Sequence, residues 1–215
     1  MNMVEKHGTD KNCCTGEKAA EAAIKLVAKQ GFAETTFKML ADKLGISEAE
    51  VLRLFPNKNA LMQKMVQVII RHNHAVVDGL IRSGDDAGYR LLRHCVGNVA
   101  WAVRNRGAET QILILLYYLA GRRKEFADTF DRMTAGGRQR ILKHLLAGKR
   151  EGMFHFTSDP AAIAELLHHS LFGAMLYAAA APKGSVKESE LEKAWMKVII
   201  ALTNYDGQPT QSFGK

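Results

Sequence analysis

An all-α fold is predicted, with a small N-terminal helical domain followed by a larger one. Apolar residues recur at intervals of three and four in segment after segment, strand-like alternation is nearly absent, and only 4 prolines interrupt 215 residues. A chain of this length can bury a sizeable core. With 47% hydrophobic and 24% charged residues, its composition is that of an ordinary globular protein and not of a disordered or disulfide-stapled one.

The first helix is expected over residues 17–30, where Ala20, Ala23, Ile24, Val27 and Ala28 form one stripe, with Thr15 as N-cap and Gly31 as the stop. Phe37, Leu40, Ala41 and Leu44 mark a short second helix, opened by Thr35 or Thr36 and closed by Gly45. The run Ser47-Glu48-Ala49-Glu50 has the spacing of a capping box, in which serine hydroxyl and glutamate carboxylate each satisfy an orphan backbone N–H. A third short helix therefore starts there, carries Val51, Leu52, Leu54 and Phe55, and stops at Pro56-Asn57. Asn57 can cap a longer fourth helix holding Leu61, Met62, Met65, Val66 and Ile69, which is expected to link the two domains. Further helices are expected near 87–105, 109–120, 124–148, 160–181 and 187–203. Asp159-Pro160 signals one start as N-cap followed by proline at the first helical position, and Ser185 to Glu188 signals another as a capping box.

These elements give expected boundaries of 15–60 for the first domain and 61–205 for the second, with residues 1–14 and 206–215 as disordered tails. No apolar run approaches the roughly 20 residues of a membrane-spanning helix, and the first 16 residues are polar, so a cytoplasmic protein is expected. Cys13, Cys14 and Cys95 have no C-x-x-C spacing and no nearby histidine pair, so reduced thiols and no metal are expected. The formal charge of +8 and pI near 9.4 suit a polyanionic partner. The basic excess, however, lies in residues 61–150; in the first 60, acids and bases nearly balance.

Three short amphipathic helices, the second and third joined by a tight glycine-containing turn, are the signature of a helix-turn-helix, which presents its last helix to a major groove about 12 Å wide. The stretch GFAETTFKMLADKLGISEAEVLRLFPNKNALM, from Gly31 to Met62, resembles the N-terminal signature of TetR-family regulators. The matching positions are Gly31, Phe32, Thr36, Leu40, Ala41, Gly45, Ile46, Ser47, Phe55, Pro56, Lys58 and Leu61, and the likeness covers about residues 17–65. It implies a transcriptional regulator, most simply a repressor, that binds double-stranded operator DNA as a homodimer and is released by a small-molecule effector.

The resemblance implies DNA contacts from Thr35, Thr36 and Lys38 at the second helix, from Ser47, Glu48, Glu50, Arg53 and Leu54 on the third, and from Lys58 at the fourth. Thr36 and Lys58 also sit at helix N-termini, where backbone N–H groups favour a phosphate. Arg53 is the candidate base reader, since a guanidinium can pair in bidentate fashion with guanine; the alternative is a solvated surface arginine. Two features depart from the family pattern. Leu52 and Leu54 replace hydroxyl-bearing or polar residues, and Glu48 and Glu50 put negative charge on the helix that should approach a polyanion. Capping accounts for both glutamates, while a carboxylate can also accept from cytosine.

In the larger domain an effector pocket is expected among Trp101, Arg104, Tyr117, Tyr118, Phe130, Met133, Phe172 and Met175, though each also suits plain core packing. His94, His168 and His169 are available as polar lining. Leu167, Leu171, Ala174 and Ala178 on one late helix, with Trp195, Val198 and Leu202 on the last, either close the monomer core or, as the resemblance implies, form a four-helix dimer interface. An enzyme is not expected, since there is no glycine-rich phosphate loop, metal-ligand spacing or G-x-S-x-G, and no cofactor is called for. The remaining alternative is a helical regulator that has lost DNA binding and acts through a protein partner.

Overall fold

The computed structural model describes residues 9–207, and its regular elements there are nine helices. They are α1 (Thr9–Gln30), α2 (Phe37–Leu44), α3 (Glu48–Leu54), α4 (Lys58–Asp78), α5 (Ala87–Arg104), α6 (Glu109–Ala120), α7 (Lys124–Arg150), α8 (Pro160–Ala180) and α9 (Glu188–Thr203). The first helix begins at Thr9, so Thr15 lies within it and is not its cap. Residues 1–8 and 208–215, most of the two expected tails, and the side chains of Cys13 and Cys14 lie outside the described residues.

Most helix ends follow local chemistry. Gly45 takes a left-handed conformation (φ 66°) and its N–H reaches back to the Ala41 carbonyl, ending α2 without the Cβ penalty another residue would carry. Ser47 and Glu50 form both halves of the capping box at α3, Asn57 Oδ1 accepts from Ala60 N at 2.9 Å at the start of α4, and Asp159 caps α8 ahead of Pro160. The expected capping box at 185–188 does not form. Ser185 donates its hydroxyl to the Pro182 carbonyl at 2.7 Å, closing a turn, and α9 starts after Lys187 with no side-chain cap.

The chain divides by packing into two compact units, each built from two stretches. Among the described residues, one comprises residues 9–72 with 105–130, and the other 73–104 with 131–207. The packing division thus differs from the expected single boundary at 60/61. In the first unit α1 packs against α2, α3 and α6, and α2 against α3. Ala20, Ala23, Ile24 and Val27 of α1, Leu40 and Ala41 of α2, Val51 of α3 and the following Phe55 are buried. The second unit is organised on α5, which is buried along nearly its whole length and carries both α8 and α9. Phe154 lies edge-on to Tyr205 at 5.9 Å, His155 N donates to the Thr203 carbonyl at 2.8 Å, and the Tyr205 hydroxyl donates to Asp86 at 2.7 Å. The chain just after α9 is therefore part of the core, and the tail expected from residue 206 begins beyond a buried tyrosine. Among the described residues no helix is long and apolar enough to cross a membrane.

Candidate nucleic-acid interface

The outward surface of the helix-turn-helix is set by which residues its core consumes. Val51 is buried, so helical periodicity turns Glu48, Ala49, Leu52 and Arg53 outward, and these four are exposed. Leu52, 42% exposed, belongs to this face, and Leu54, expected on it from the sequence, does not. Leu54 is half-buried and lines a small cleft with Ala60 and Lys64, because it lies three residues beyond Val51 and follows it inward. The position of Leu52, four residues after Glu48, was the signal available in the sequence.

The polar groups of α3 are largely engaged with one another. The Glu50 carboxylate accepts from Ser47 N at 2.8 Å and from the Ser47 hydroxyl at 2.7 Å. The Ser47 N–H first, then its hydroxyl, and more weakly Arg53, hold the Glu50 carboxyl below the ordinary carboxylate range. Arg53 stands 3.9 Å from that carboxylate with its side chain well exposed. Glu50 is therefore a charged cap with an arginine poised over it, and Arg53 stays free to swing to another acceptor at little cost, since a solvent-screened pair of this kind gains little over its two hydrated ions.

The helix α2 residues divide. Thr36 and Lys38 are exposed, and the Thr36 hydroxyl caps α2 by accepting from Met39 N at 3.2 Å. Thr35 does not belong with them. It is 3% exposed, and its hydroxyl donates to the Gly31 carbonyl at 2.8 Å, tying the end of α1 to the turn. A buried hydroxyl already committed to a carbonyl has no donor left for a phosphate.

Lys58 is likewise drawn inward. Its ammonium donates to the Phe32 carbonyl at 3.2 Å and the Ala33 carbonyl at 2.8 Å, and lies 5.4 Å from the centre of the Phe32 ring. It fastens the α1–α2 turn to the start of α4, with at most one donor left for any other partner.

Residues 20–65 match the family model described as bacterial regulatory proteins, tetR family. The tetR-family match is confined to this helix-turn-helix segment. A curated relative, an uncharacterized HTH-type transcriptional regulator, YvkB of Bacillus subtilis (strain 168), is 36% identical over 52 residues, which is 24% of this chain and 28% of that protein. Solved structures extend the TetR-type likeness over nearly the whole chain at the level of fold. A Rhodococcus sp. protein assigned to the TetR family of transcriptional regulators superposes with TM-score 0.72 at 17% identity, covering 87% of this chain and 97% of that one. A tetR-family regulatory protein from Rhodococcus RHA1 superposes with TM-score 0.63 at 18% identity, covering 89% and 98%. AibR, solved in complex with isovaleryl coenzyme A and operator DNA, gives TM-score 0.60 at 16% identity, covering 88% and 98%.

The residues expected around an effector are not of one kind. Trp101 and Met175 are buried, while Phe130, Met133 and Phe172 are half-buried. Tyr117 meets the Phe130 ring edge-on at 4.6 Å. Tyr118 and Arg104 do not line an interior. Tyr118 is 57% exposed with the Arg122 guanidinium 4.6 Å from its ring centre, and Arg104 is exposed in the last turn of α5, where a cation suits the helix dipole. Of the expected interface residues, Leu167, Leu171, Ala178 and Trp195 are buried within this chain, on helices that pack on α5, so they close the monomer's own core. Ala174 and Leu202 are half-buried and Val198 is exposed. The outer face of α8 carries Leu166, His169, Ser170, Gly173 and Tyr177, and that of α9 carries Ala194, Val198 and Ala201.

Proposed function

We propose that this protein regulates transcription by binding operator DNA as a homodimer through paired α3 helices, and that a small-molecule effector releases it, making it a cytoplasmic repressor. The observation that carries the reading is the exposed face of α3, Glu48, Ala49, Leu52 and Arg53, on a short helix capped at its start and held by a buried Val51. On that face Arg53 supplies a bidentate donor for guanine, and Leu52 an apolar contact suited to a thymine methyl group. Thr36 and Lys38, exposed at the start of α2, supply backbone contacts that set the register. One α3 reads only a half-site, so two copies must present their helices about 34 Å apart. The outer faces of α8 and α9, which the monomer core does not use, are the surfaces proposed for that pairing. Effector release requires a ligand that prefers a state with wrongly spaced α3 helices, by roughly 1 to 3 kcal/mol in typical couplings.

A second reading is favoured by the same face: Glu48 and Leu52 present acid and apolar surface, which also suits a protein partner. Titration onto the DNA upstream of its own gene at two salt concentrations separates the two. A regulator binds tightly and loses affinity steeply with salt, and Arg53→Ala lowers affinity by about 1 to 3 kcal/mol with relaxed sequence preference. Absence of salt-sensitive binding favours the protein-partner reading.

A further inference from the structure

We propose that the cleft walled by the α1–α2 turn, the start of α4, and α6 with the start of α7 binds a small, uncharged and largely apolar molecule carrying a hydrogen-bond donor, of the alkylphenol class. The cleft lies wholly within the first compact unit and measures about 920 Å³, in the range of sites that enclose small organic ligands. Of the eight residues named from the sequence for an effector pocket none lines it, while Leu115 and Phe126, apolar residues of the same middle helices, do.

Its chemistry selects the ligand. Phe32 from the turn, Leu115 and Leu119 from α6, and Phe126 from α7 give it an apolar body. The charged groups around it balance, with Lys58 and Arg123 against Glu34 and Glu125. The cations are also engaged, Lys58 with the Phe32 and Ala33 carbonyls and Arg123 with Glu125 at 3.9 Å. Such a lining offers an ion no net attraction. What it does offer is Asn59, which lines the cleft and whose Oδ1 is buried with no hydrogen-bond partner among the described residues. A buried unpaired acceptor costs free energy that a donor recovers, so the amide gains by turning to a ligand O–H or N–H placed in the cleft. A carboxylate or a quaternary ammonium group itself supplies no such donor, and the balanced lining does nothing to favour its charge.

The site has a consequence for the DNA reading and rests on it only there: the wall that a ligand would touch holds Phe32 and Ala33, whose carbonyls bind Lys58, and ends at Glu34, two residues before the α2 cap Thr36, so occupancy would alter how α2 is presented. The site itself is tested without DNA. Isotope-labelled full-length protein is titrated with 4-butylphenol and with 4-butylanisole, its methyl ether, while backbone amide resonances are followed by NMR. The expected result is shifts concentrated at residues 30–34, 57–59 and 123–126, with the phenol bound about threefold to tenfold more tightly than the ether, as one hydrogen bond gives. Leu115→Trp and, independently, Leu119→Trp fill the cleft and should weaken the phenol at least tenfold, while Asn59→Leu should remove the preference for phenol over ether. Shifts confined to other residues, equal affinity for the two probes, or undiminished binding in both tryptophan variants with otherwise native spectra would overturn the proposal. Failure of operator binding leaves this result unaffected, so the two readings fail separately.

Discussion

Lys58 shows how a single side chain can satisfy a family motif and still serve a different purpose. Its ammonium is held by two carbonyls of the α1–α2 turn, and hydrogen bonds to a charged donor contribute more than neutral ones, roughly 1.5 to 3 kcal/mol when partly buried. Lys58→Met is therefore expected to lower the unfolding free energy by about 1 to 2 kcal/mol, read as a shift in denaturant midpoint at unchanged slope. The same variant should leave the salt dependence of DNA binding almost unchanged; a slope smaller by about one would mean that Lys58 neutralises a phosphate after all. Gly88 makes a second residue-level case. A Cβ there would overlap the Tyr205 ring, and the ring cannot withdraw, since its hydroxyl is bonded to Asp86 and its edge meets Phe154. Gly88→Ala should destabilise by about 1 to 3 kcal/mol, the usual cost of overpacking, despite the better helix propensity of alanine. Local signals of this kind were unevenly legible. Gly45, the Ser47–Glu50 box, Asn57 and Asp159 could be read from sequence because cap and capped group lie within three or four residues. Thr35, Lys58 and Tyr205 could not, because the partners of Lys58 lie 25 and 26 residues away, that of Tyr205 lies 119 away, and burial of Thr35 is a tertiary outcome.

At the scale of elements, α5 carries a buried polar cluster whose titration is predictable in sign. His94 on α5 meets His144 on α7 at 5.1 Å, and its Nδ1 is buried without a hydrogen-bond partner among the described residues. Burial first, then the charge of its neighbours His144 and Arg140, pushes the His94 imidazole down to about 3, against the opposing pull of Asp78. Burial, then Arg140 and Arg90, pushes His144 down to about 4. His74, also lowered mainly by burial, faces the same Arg140–Asp78 ion pair at 2.6 Å. The native state thus keeps these rings neutral where the unfolded chain, with ordinary imidazoles near 6.5, takes up protons. Stability is full above about pH 6.5 and falls as pH drops toward 4, by at most about 1.4 kcal/mol per pH unit for His94. His94→Leu should flatten that decline between pH 6.5 and 4 in denaturation measured at several pH values. An equal slope in the variant would show that His94 contributes nothing to the acid sensitivity, which other groups then carry. Helix order and extent were legible here, since periodicity reports which residues face inward. That α5 is buried along nearly its whole length was not, because periodicity does not reveal how many neighbours share a helix.

For the whole molecule, the DNA reading requires two copies, and the allocation of apolar surface within one copy limits where they can meet. Leu167, Leu171, Ala178 and Trp195 are consumed inside the chain, on helices packed against α5. The sequence could not separate these from an interface set, because a helix buried on two sides shows apolar residues on both and the stripe carries no label of its partner. What the core leaves over is specific: Tyr177 is 78% exposed, Leu166 is 51% exposed, and Gly173 lies between them on the same face of α8 with open space where a Cβ would stand. Large exposed apolar residues flanking a glycine allow close approach of a second helix, and an isologous pairing places each such residue twice in the contact. A charge at that face is therefore doubled on dimerisation and left without a partner. Tyr177→Glu is expected to shift the protein from dimer to monomer in sedimentation velocity, weakening association at least a hundredfold, while thermal unfolding of the monomer stays within about 0.5 kcal/mol of the parent because the site is exposed. Operator affinity should fall with the dimer, since a lone α3 reads a single half-site. A Tyr177→Glu protein that remains dimeric would move the interface away from the outer face of α8, leaving α9, with Ala194, Val198 and Ala201, as the surface to charge next.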